Sequence, residues 1–369
     1  MDKLNICLVS LMIPPDSQDG ESKFFGGIYN YLKNQGHRVT LLTSKWNYEL
    51  NDPNIIQHDV IKKRFLWAPQ FNIKIVNFLR NNEFDIIHGN GIKGSFPIFL
   101  SRKKRYISTI HDMGPFEART TLLPFAQIFI KIIVKGATYI TTCSDAIRRQ
   151  IKHFIPQVDL NHIFNLYSAI EEKYKPFPAE SKKLKEQMGI QGPVLIYIGR
   201  VGFYKGVDDI IKAYYLAKKE IPTLNLVIGG KPDYKMENTF EEWKRNYRDV
   251  HFIGFIPPNK IPMYYSMGDV FVTYSFGSEG FGLTPVEAIA CGTPVICSSL
   301  PAYKEVLQDN AIFVPPRSPK QLAKEIVLLL KDDSKRAELI KKAQKFITKY
   351  SWDSVGGKLE KIYKQFVSL

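Results

Sequence analysis

Two glutamates in an E-x7-E arrangement, Glu279 and Glu287, bracket the segment richest in chemistry-bearing residues, Gly277-Ser278-Glu279-Gly280-Phe281-Gly282-Leu283-Thr284-Pro285-Val286-Glu287. Glu279 lies in a glycine-rich loop, where a carboxylate is costly beside an anion unless it receives hydroxyl donors, and sugar hydroxyls are suitable donors. Glu287 has two readings. Thr284 and Glu287 have the T-x-x-E spacing of a capping box, with Pro285 at the first helical position and Gly292 where the helix should stop; alternatively the carboxylate accepts from ligand hydroxyls. Upstream, Gly199-Arg200-Val201-Gly202-Phe203-Tyr204-Lys205-Gly206 puts two cations after a strand that stops at glycine. Arg200 and Lys205 can neutralise a diphosphate leaving group there, or they are solvated loop charges. Near the amino terminus, Phe24-Phe25-Gly26-Gly27-Ile28 reads as a loop and a helix opening on two glycines, whose bare amides and positive dipole end suit a diphosphate. The alternative is a loop that needs Gly26 and Gly27 only for its backbone angles. No Asp-x-Asp occurs in the chain, so fixed cations rather than a metal are expected to meet the diphosphate, and no metal or cofactor is expected.

These segments need rigid elements to hold them. Short apolar runs alternate with helical stretches in both halves, the pattern of parallel sheets covered by helices. Strands are predicted at 5–10, 39–43, 86–88, 106–111 and 139–143, then at 194–198, 224–228, 250–253, 270–274 and 294–297. Each half therefore reads as a doubly wound α/β unit, with a hinge near Tyr167 and a polar stretch, 171–191, beyond it. Two such Rossmann-like units facing each other place the carboxyl ends of their strands, and any ligand, at an interdomain cleft. The segment after Pro319 reads as helical, with breaks near Asp332-Asp333-Ser334 and Gly356-Gly357.

A length of 369 residues fits two domains, and 44% hydrophobic with 24% charged residues excludes disordered, collagen-like and coiled-coil chains. The formal net charge is +15 and both halves are basic, which favours anionic partners. No nucleic-acid module is recognisable. Cys7, Cys143, Cys291 and Cys297 form no C-x-x-C pair and no metal-ligand spacing, which suits a reducing cytoplasm. The opening Met1-Asp2-Lys3-Leu4-Asn5-Ile6 reads as a first strand rather than a signal peptide, and the longest apolar stretch, Leu122–Val134, is too short to span a bilayer.

The Gly26-Gly27 loop, Gly36-His37, Asp85-Ile86-Ile87-His88, Thr109-Ile110-His111-Asp112, Ser144, Gly199-Arg200 with Lys205-Gly206, and Glu279 with Glu287 ahead of Ala290-Cys291-Gly292-Thr293-Pro294-Val295 together resemble glycosyltransferase family 4. The resemblance runs from about residue 5 to the carboxyl terminus. It implies the GT-B fold, with residues 1–167 as an acceptor-binding domain, 168–350 as a nucleotide-sugar-binding domain and 351–369 as a helix packing back on the first. It implies a retaining hexosyltransferase that uses a nucleotide-diphosphate sugar. Arg200 and Lys205 would hold the diphosphate with amides of Gly26, Gly27, Phe281, Gly282 and Leu283. Glu279 would accept from the donor sugar, Glu287 from the ribose, and His111 would contact the sugar and the reacting centre. Backbone from Gly254 to Ile256 would meet the base. Two departures stand out: Ser168-Ala169-Ile170-Glu171 replaces the family's Asn-Gly-Val-Asp turn, and Ser298-Ser299-Leu300-Pro301-Ala302-Tyr303 replaces a glycine-rich turn.

A double displacement would need a carboxylate beneath the anomeric carbon, about 5 Å from the acid. The family offers no agreed nucleophile, so the expected route is front-face, with the departing diphosphate taking the acceptor proton. Lys62-Lys63-Arg64-Phe65-Leu66-Trp67, Arg102-Lys103-Lys104-Arg105 and Leu122–Val134 combine basic with aromatic and apolar residues, as a surface resting on anionic lipid requires, although Leu122–Val134 reads rather as a core helix and the charges of 62–67 equally as a solvated face. The preferred acceptor is accordingly a lipid-linked glycan at the cytoplasmic membrane face. A soluble sugar acceptor, a non-hydrolysing sugar-nucleotide epimerase and a non-catalytic glycan- or sugar-nucleotide-binding protein are the competing readings.

Overall fold

Alternating apolar runs and amphipathic helices build two parallel sheets in the computed structural model, which describes residues 3–63, 66–117, 123–277 and 279–369. Arg64, Phe65, Leu122 and Ser278, named above, lie outside those residues. The chain divides into one unit made of Met1–Ala169 with Trp352–Leu369, and a second made of Ile170–Ser351. The expected boundaries at 167 and 350 lie within two residues of these.

The first unit runs β1 (Asn5–Val9), α1 (Gly20–Asn34), β2 (Arg38–Lys45), β3 (Ile55–Asp59), α2 (Trp67–Arg80), β4 (Ile86–Asn90), α3 (Gly91–Leu100), β5 (Ile107–Ile110), α4 (Gly114–Glu117), α5 (Leu123–Gly136), β6 (Tyr139–Thr142), α6 (Asp145–Phe154) and β7 (Ile163–Asn165). The second runs α7 (Pro178–Gln187), β8 (Val194–Ile198), α8 (Val207–Lys218), β9 (Asn225–Gly229), α9 (Glu237–Asn246), β10 (Val250–Gly254), α10 (Ile261–Met267), β11 (Val270–Thr273), α11 (Leu283–Ala290), β12 (Val295–Ser298), α12 (Pro301–Leu307), β13 (Ile312–Val314), α13 (Pro319–Leu330) and α14 (Asp333–Ile347). A last helix, α15 (Trp352–Val367), belongs to the first unit.

Among the described residues the sheet orders are β3-β2-β1-β4-β5-β6-β7 and β10-β9-β8-β11-β12-β13, with every pairing parallel. The order reverses direction between β1 and β4 in one sheet and between β8 and β11 in the other. Those are the switch points where an open parallel sheet leaves a crevice beyond its carboxyl edge. Central strands such as Val194–Ile198 are buried along their whole length, which is why they read as unbroken apolar runs. β3, β7 and β13, not predicted from the sequence, are all edge strands and carry mixed or partial burial.

Two expectations need correction. Gly26 and Gly27 lie in the middle of α1, whose N-cap is Asp19, so their amides are not loop amides. Gly27 is there because the Trp352 ring occupies the space of a side chain: a Cβ would sit 1.9 Å from its Cζ2. Gly356-Gly357 likewise does not break the carboxy-terminal helix, because Gly356 admits the Tyr31 ring at close range. The two helices thus lock by exchanging glycine for aromatic in both directions. Val355, Leu359, Ile362, Tyr363 and Phe366 of α15 join Ile6, Leu8, Phe25 and Ile28 in one buried cluster.

Candidate functional site

In the second unit, β8 and β11 deliver two loops to the sheet's carboxyl edge. After β8 the chain passes Gly199 and Arg200 and reaches Lys205 and Gly206, where φ is +64° and a Cβ would collide with the Tyr274 carbonyl. Only glycine lets the two loops approach so closely there. The Phe276 amide donates to the Tyr204 carbonyl at 2.9 Å, tying them further. Lys205 Nζ donates to Glu279 Oε1 at 2.5 Å and Ser275 Oγ donates to the same oxygen at 2.6 Å. Burial alone would push the Lys205 ammonium down, but the Glu279 carboxylate beside it holds it above its ordinary value. Lys205 is therefore a cation at neutral pH. Arg200 Nη2 donates to the Tyr204 hydroxyl at 2.8 Å, and Lys205 Nζ lies 4.9 Å from the centre of the same ring. Tyr204 is thus the shared support of the two cations.

The loop ends at Gly282, in left-handed conformation with φ +83°, and its missing side chain leaves room for the buried Tyr303 ring. Tyr303 comes from the segment that departs from the family's glycine-rich turn. α11 begins at Leu283 with Gly282 as N-cap, so Thr284 is already inside the helix and the capping box does not form. Glu287 is instead 4% exposed and accepts from the Tyr265 hydroxyl at 2.9 Å, with the Tyr174 hydroxyl also bonded to it. Burial, and then the Glu287 charge, pushes both tyrosines up. Phe281 is buried edge-on to Tyr350, leaving the backbone of 281–283 to open the helix. Gly254 ends β10 with φ +70°, its carbonyl accepting from the Gly230 amide at 2.7 Å, and Ile256 is buried against Gly229.

In the first unit, His111 follows β5 and Asn90 ends β4. Asn90 Nδ2 donates to Ser10 Oγ at 2.9 Å and to the Glu21 carbonyl at 3.3 Å, which fixes its Oδ1 as an acceptor. His111 Nε2, 2.7 Å from that oxygen, must carry the proton. Burial pushes His111 down to about 4, with Asp19 opposing, so the ring is neutral with its lone pair on Nδ1. Glu21, in the first turn of α1, is pushed up to about 7 by burial and then by Asp112 and Asp19, against Lys93. Gly26 and Gly27 are absent from this group, and Asp19-Gly20 occupies the helix start that was expected of them. Asp19 is a standard N-cap residue ahead of an acidic first turn, a signal present in the sequence. Tyr204, Ser275, Tyr174, Tyr265, Asn90 and Glu21 are further residues of these two groups that motif spacing does not reveal.

Phe99 and Leu100 are exposed next to Arg102-Lys103-Lys104-Arg105, although Lys103 pairs with Glu83 and Arg105 packs on Phe366. Ile130, Ile133 and Val134 of α5 are buried whereas Ile128 is half exposed, so that helix is largely a core element. Among the described residues no helix is long and apolar enough to cross a membrane.

A family model described as "Glycosyl transferases group 1" matches residues 180–346, and one described as "Glycosyltransferase Family 4" matches 22–165. The chain is 26% identical over 273 residues to O-antigen chain mannosyltransferase B of Escherichia coli, covering 71% of each. Its fold is similar to sucrose-phosphate synthase from Thermosynechococcus elongatus, with a TM-score of 0.84 at 20% identity over 98% of this chain and 99% of that one. It is also similar to Anabaena HepE in complex with UDP-glucose, with a TM-score of 0.77 at 18% identity over 99% and 100%.

Proposed function

Because the chain belongs to the family 4 glycosyltransferases of GT-B fold, we propose that it moves a hexose, with retention, from a nucleotide-diphosphate sugar of UDP-glucose or GDP-mannose type to a glycan acceptor. The observation that carries the reading is the contact between Lys205 and Glu279 at the carboxyl edge of the second sheet, beside the opening of α11. One cation suited to a diphosphate and one carboxylate suited to sugar hydroxyls are thereby held a single hydrogen bond apart. A ligand carrying both groups in sequence is a nucleotide-diphosphate sugar, and HepE, a structural relative, is described with UDP-glucose.

In this reading Arg200 and Lys205 stabilise the charge that grows on the leaving diphosphate, with the backbone amides at 281–283 adding to the field. Glu279 positions the sugar and Glu287 accepts from the ribose. The bond from the anomeric carbon to the diphosphate oxygen breaks while the acceptor oxygen bonds the same face, and the acceptor proton passes to the departing phosphate. No metal takes part. A neutral His111 acts as a dipolar partner of the sugar rather than as a cation, in keeping with its depressed pKa.

The first unit is the acceptor domain. A relative named as an O-antigen chain mannosyltransferase supports a glycan acceptor. The exposed Phe99 and Leu100 beside basic residues favour one linked to lipid at the cytoplasmic membrane face. A thermal-shift screen across nucleotide-diphosphate sugars tests the donor, since a ligand at ~100 times its Kd adds about 2.7 kcal/mol. Release of nucleoside diphosphate separates transfer from epimerisation, and the anomeric configuration of the product by NMR tests retention. A screen in which no nucleotide sugar raises the melting temperature refutes the proposal.

A further inference from the structure

Arg317 has a left-handed backbone, φ +60°, in the turn between β13 and α13, a conformation that costs a residue with a Cβ and suits glycine. Its side chain makes contacts there that glycine could not make. The guanidinium carbon lies 3.6 Å from the centre of the Phe276 ring and 5.7 Å from that of Phe203. Phe203 and Phe276 themselves meet edge to face at 5.3 Å. Arg317 Nη1 also lies 3.5 Å from both Asp208 Oδ2 and Asp209 Oδ2, in the first turn of α8. Phe203 is two residues before Lys205, Asp208 three after it, and Phe276 three before Glu279. The same turn is anchored by the Ser318 amide donating to the Tyr274 hydroxyl at 3.1 Å.

We propose that Arg317 is a positioning residue of the transfer reaction: its guanidinium clamps the Lys205 loop to the Glu279 loop and so sets where the ammonium stands when charge develops on the leaving diphosphate. The inference rests on the donor-site reading given above. A planar guanidinium can stack on a ring and reach carboxylates at its edge at the same time, which neither lysine nor glycine can do. Arg317 touches no reacting atom in this role. Ionic attraction for a bound diphosphate changes little when Lys205 shifts by a fraction of an ångström, whereas stabilisation of the transition state depends steeply on placement. Loss of the clamp should therefore lower turnover and leave nucleotide affinity nearly intact.

R317G is the informative variant because glycine relieves the left-handed backbone while removing the clamp, so the fold should not suffer. We expect an unchanged or raised melting temperature, binding of UDP and GDP each within about threefold of wild type, and release of nucleoside diphosphate from UDP-glucose or GDP-mannose reduced about 10- to 100-fold in kcat. R317K, which keeps the charge without the planar stack, should recover only part of the rate. Wild-type kcat in R317G refutes the clamp, and so does a fall in nucleotide affinity equal to the fall in rate. Labelling of the Lys205 amine by an acylating reagent, read by mass spectrometry without any donor, should be several-fold faster in R317G. Equal labelling in the two proteins also overturns the clamp. If wild type releases nucleoside diphosphate from neither donor, the transferase reading fails instead, and the labelling comparison still decides whether Arg317 holds the loop.

Discussion

Replacing Glu287 by glutamine tests a buried part of the site. In the folded protein the carboxylate is 4% exposed and bonded by the hydroxyls of Tyr265, at 2.9 Å, and Tyr174. Hydrogen bonds to a buried charge contribute roughly 1.5–3 kcal/mol each and neutral ones roughly 0.5–1.5. An amide also presents one acceptor oxygen in place of two. Two weakened bonds predict a loss of about 2 kcal/mol, which for a domain of this size is a melting shift of roughly 4–8 °C. If the same carboxylate also accepts from the ribose, nucleoside diphosphate affinity falls by a further ~1–3 kcal/mol. Calorimetric unfolding measures the first effect and isothermal titration with UDP and GDP the second. Y265F serves as the control, since its cost should not add to that of E287Q when both act through one bond. A melting shift below about 2 °C would refute the assignment of Glu287 as the buried acceptor of the two tyrosines, and unchanged nucleotide affinity would remove its ribose role.

Glu279→Gln should keep the affinity for nucleoside diphosphate, which lacks the sugar, within about threefold while transfer falls by about two orders of magnitude, measured by product formation at saturating donor. His88, whose Nδ1 and Nε2 are bonded to Tyr363 and Thr109, is pushed down to about 3 by burial and then by His111. Below the unfolded value near 6.5 only the unfolded chain takes this proton, so stability is lost as pH falls, by about 2 kcal/mol between pH 6.5 and 5, and urea midpoints of H88N should lose that slope. Gly27→Ala forces a methyl into the Trp352 ring and should destabilise the first unit by about 1–3 kcal/mol, with partial recovery in G27A/W352L, whereas nucleotide binding by the second unit should persist.

Apart from the edge strand Val250–Gly254, the strands legible in the sequence are the central ones, because a strand buried on both faces must be apolar throughout, as Val194–Ile198 is. Ile55–Asp59, Ile163–Asn165 and Ile312–Val314 are not, because an edge strand has one flank free and is only partly buried, so its composition is weakly constrained. The glycines divide in the same way. Gly199, Gly206 and Gly282 are readable as loop residues because their neighbours supply the strand before and the helix after. Gly26-Gly27 misleads because its cause is Trp352, remote in sequence, and a pair of glycines looks alike whether it frees an amide or admits a ring. Thr284 and Glu287 have the spacing of a cap, but the glutamate's partners are Tyr174 and Tyr265, and no local pattern joins those three positions.

The lock between α1 and α15 also orders events during synthesis on the ribosome. The second unit is one continuous stretch, Ile170–Ser351, and can close as soon as it has emerged. The first unit cannot, since Trp352, Val355, Leu359, Ile362, Tyr363 and Phe366 are translated only after the whole of the second unit, and they pack with Phe24, Phe25 and Ile28, which precede it. Until then the apolar face of Gly20–Asn34 lacks the part of its cover that α15 supplies. A chain stopped near Ser351 would therefore carry a finished second unit joined to an unfinished, adhesive first one, and cells should clear it as an aggregate or a protease substrate instead of keeping a truncated transferase.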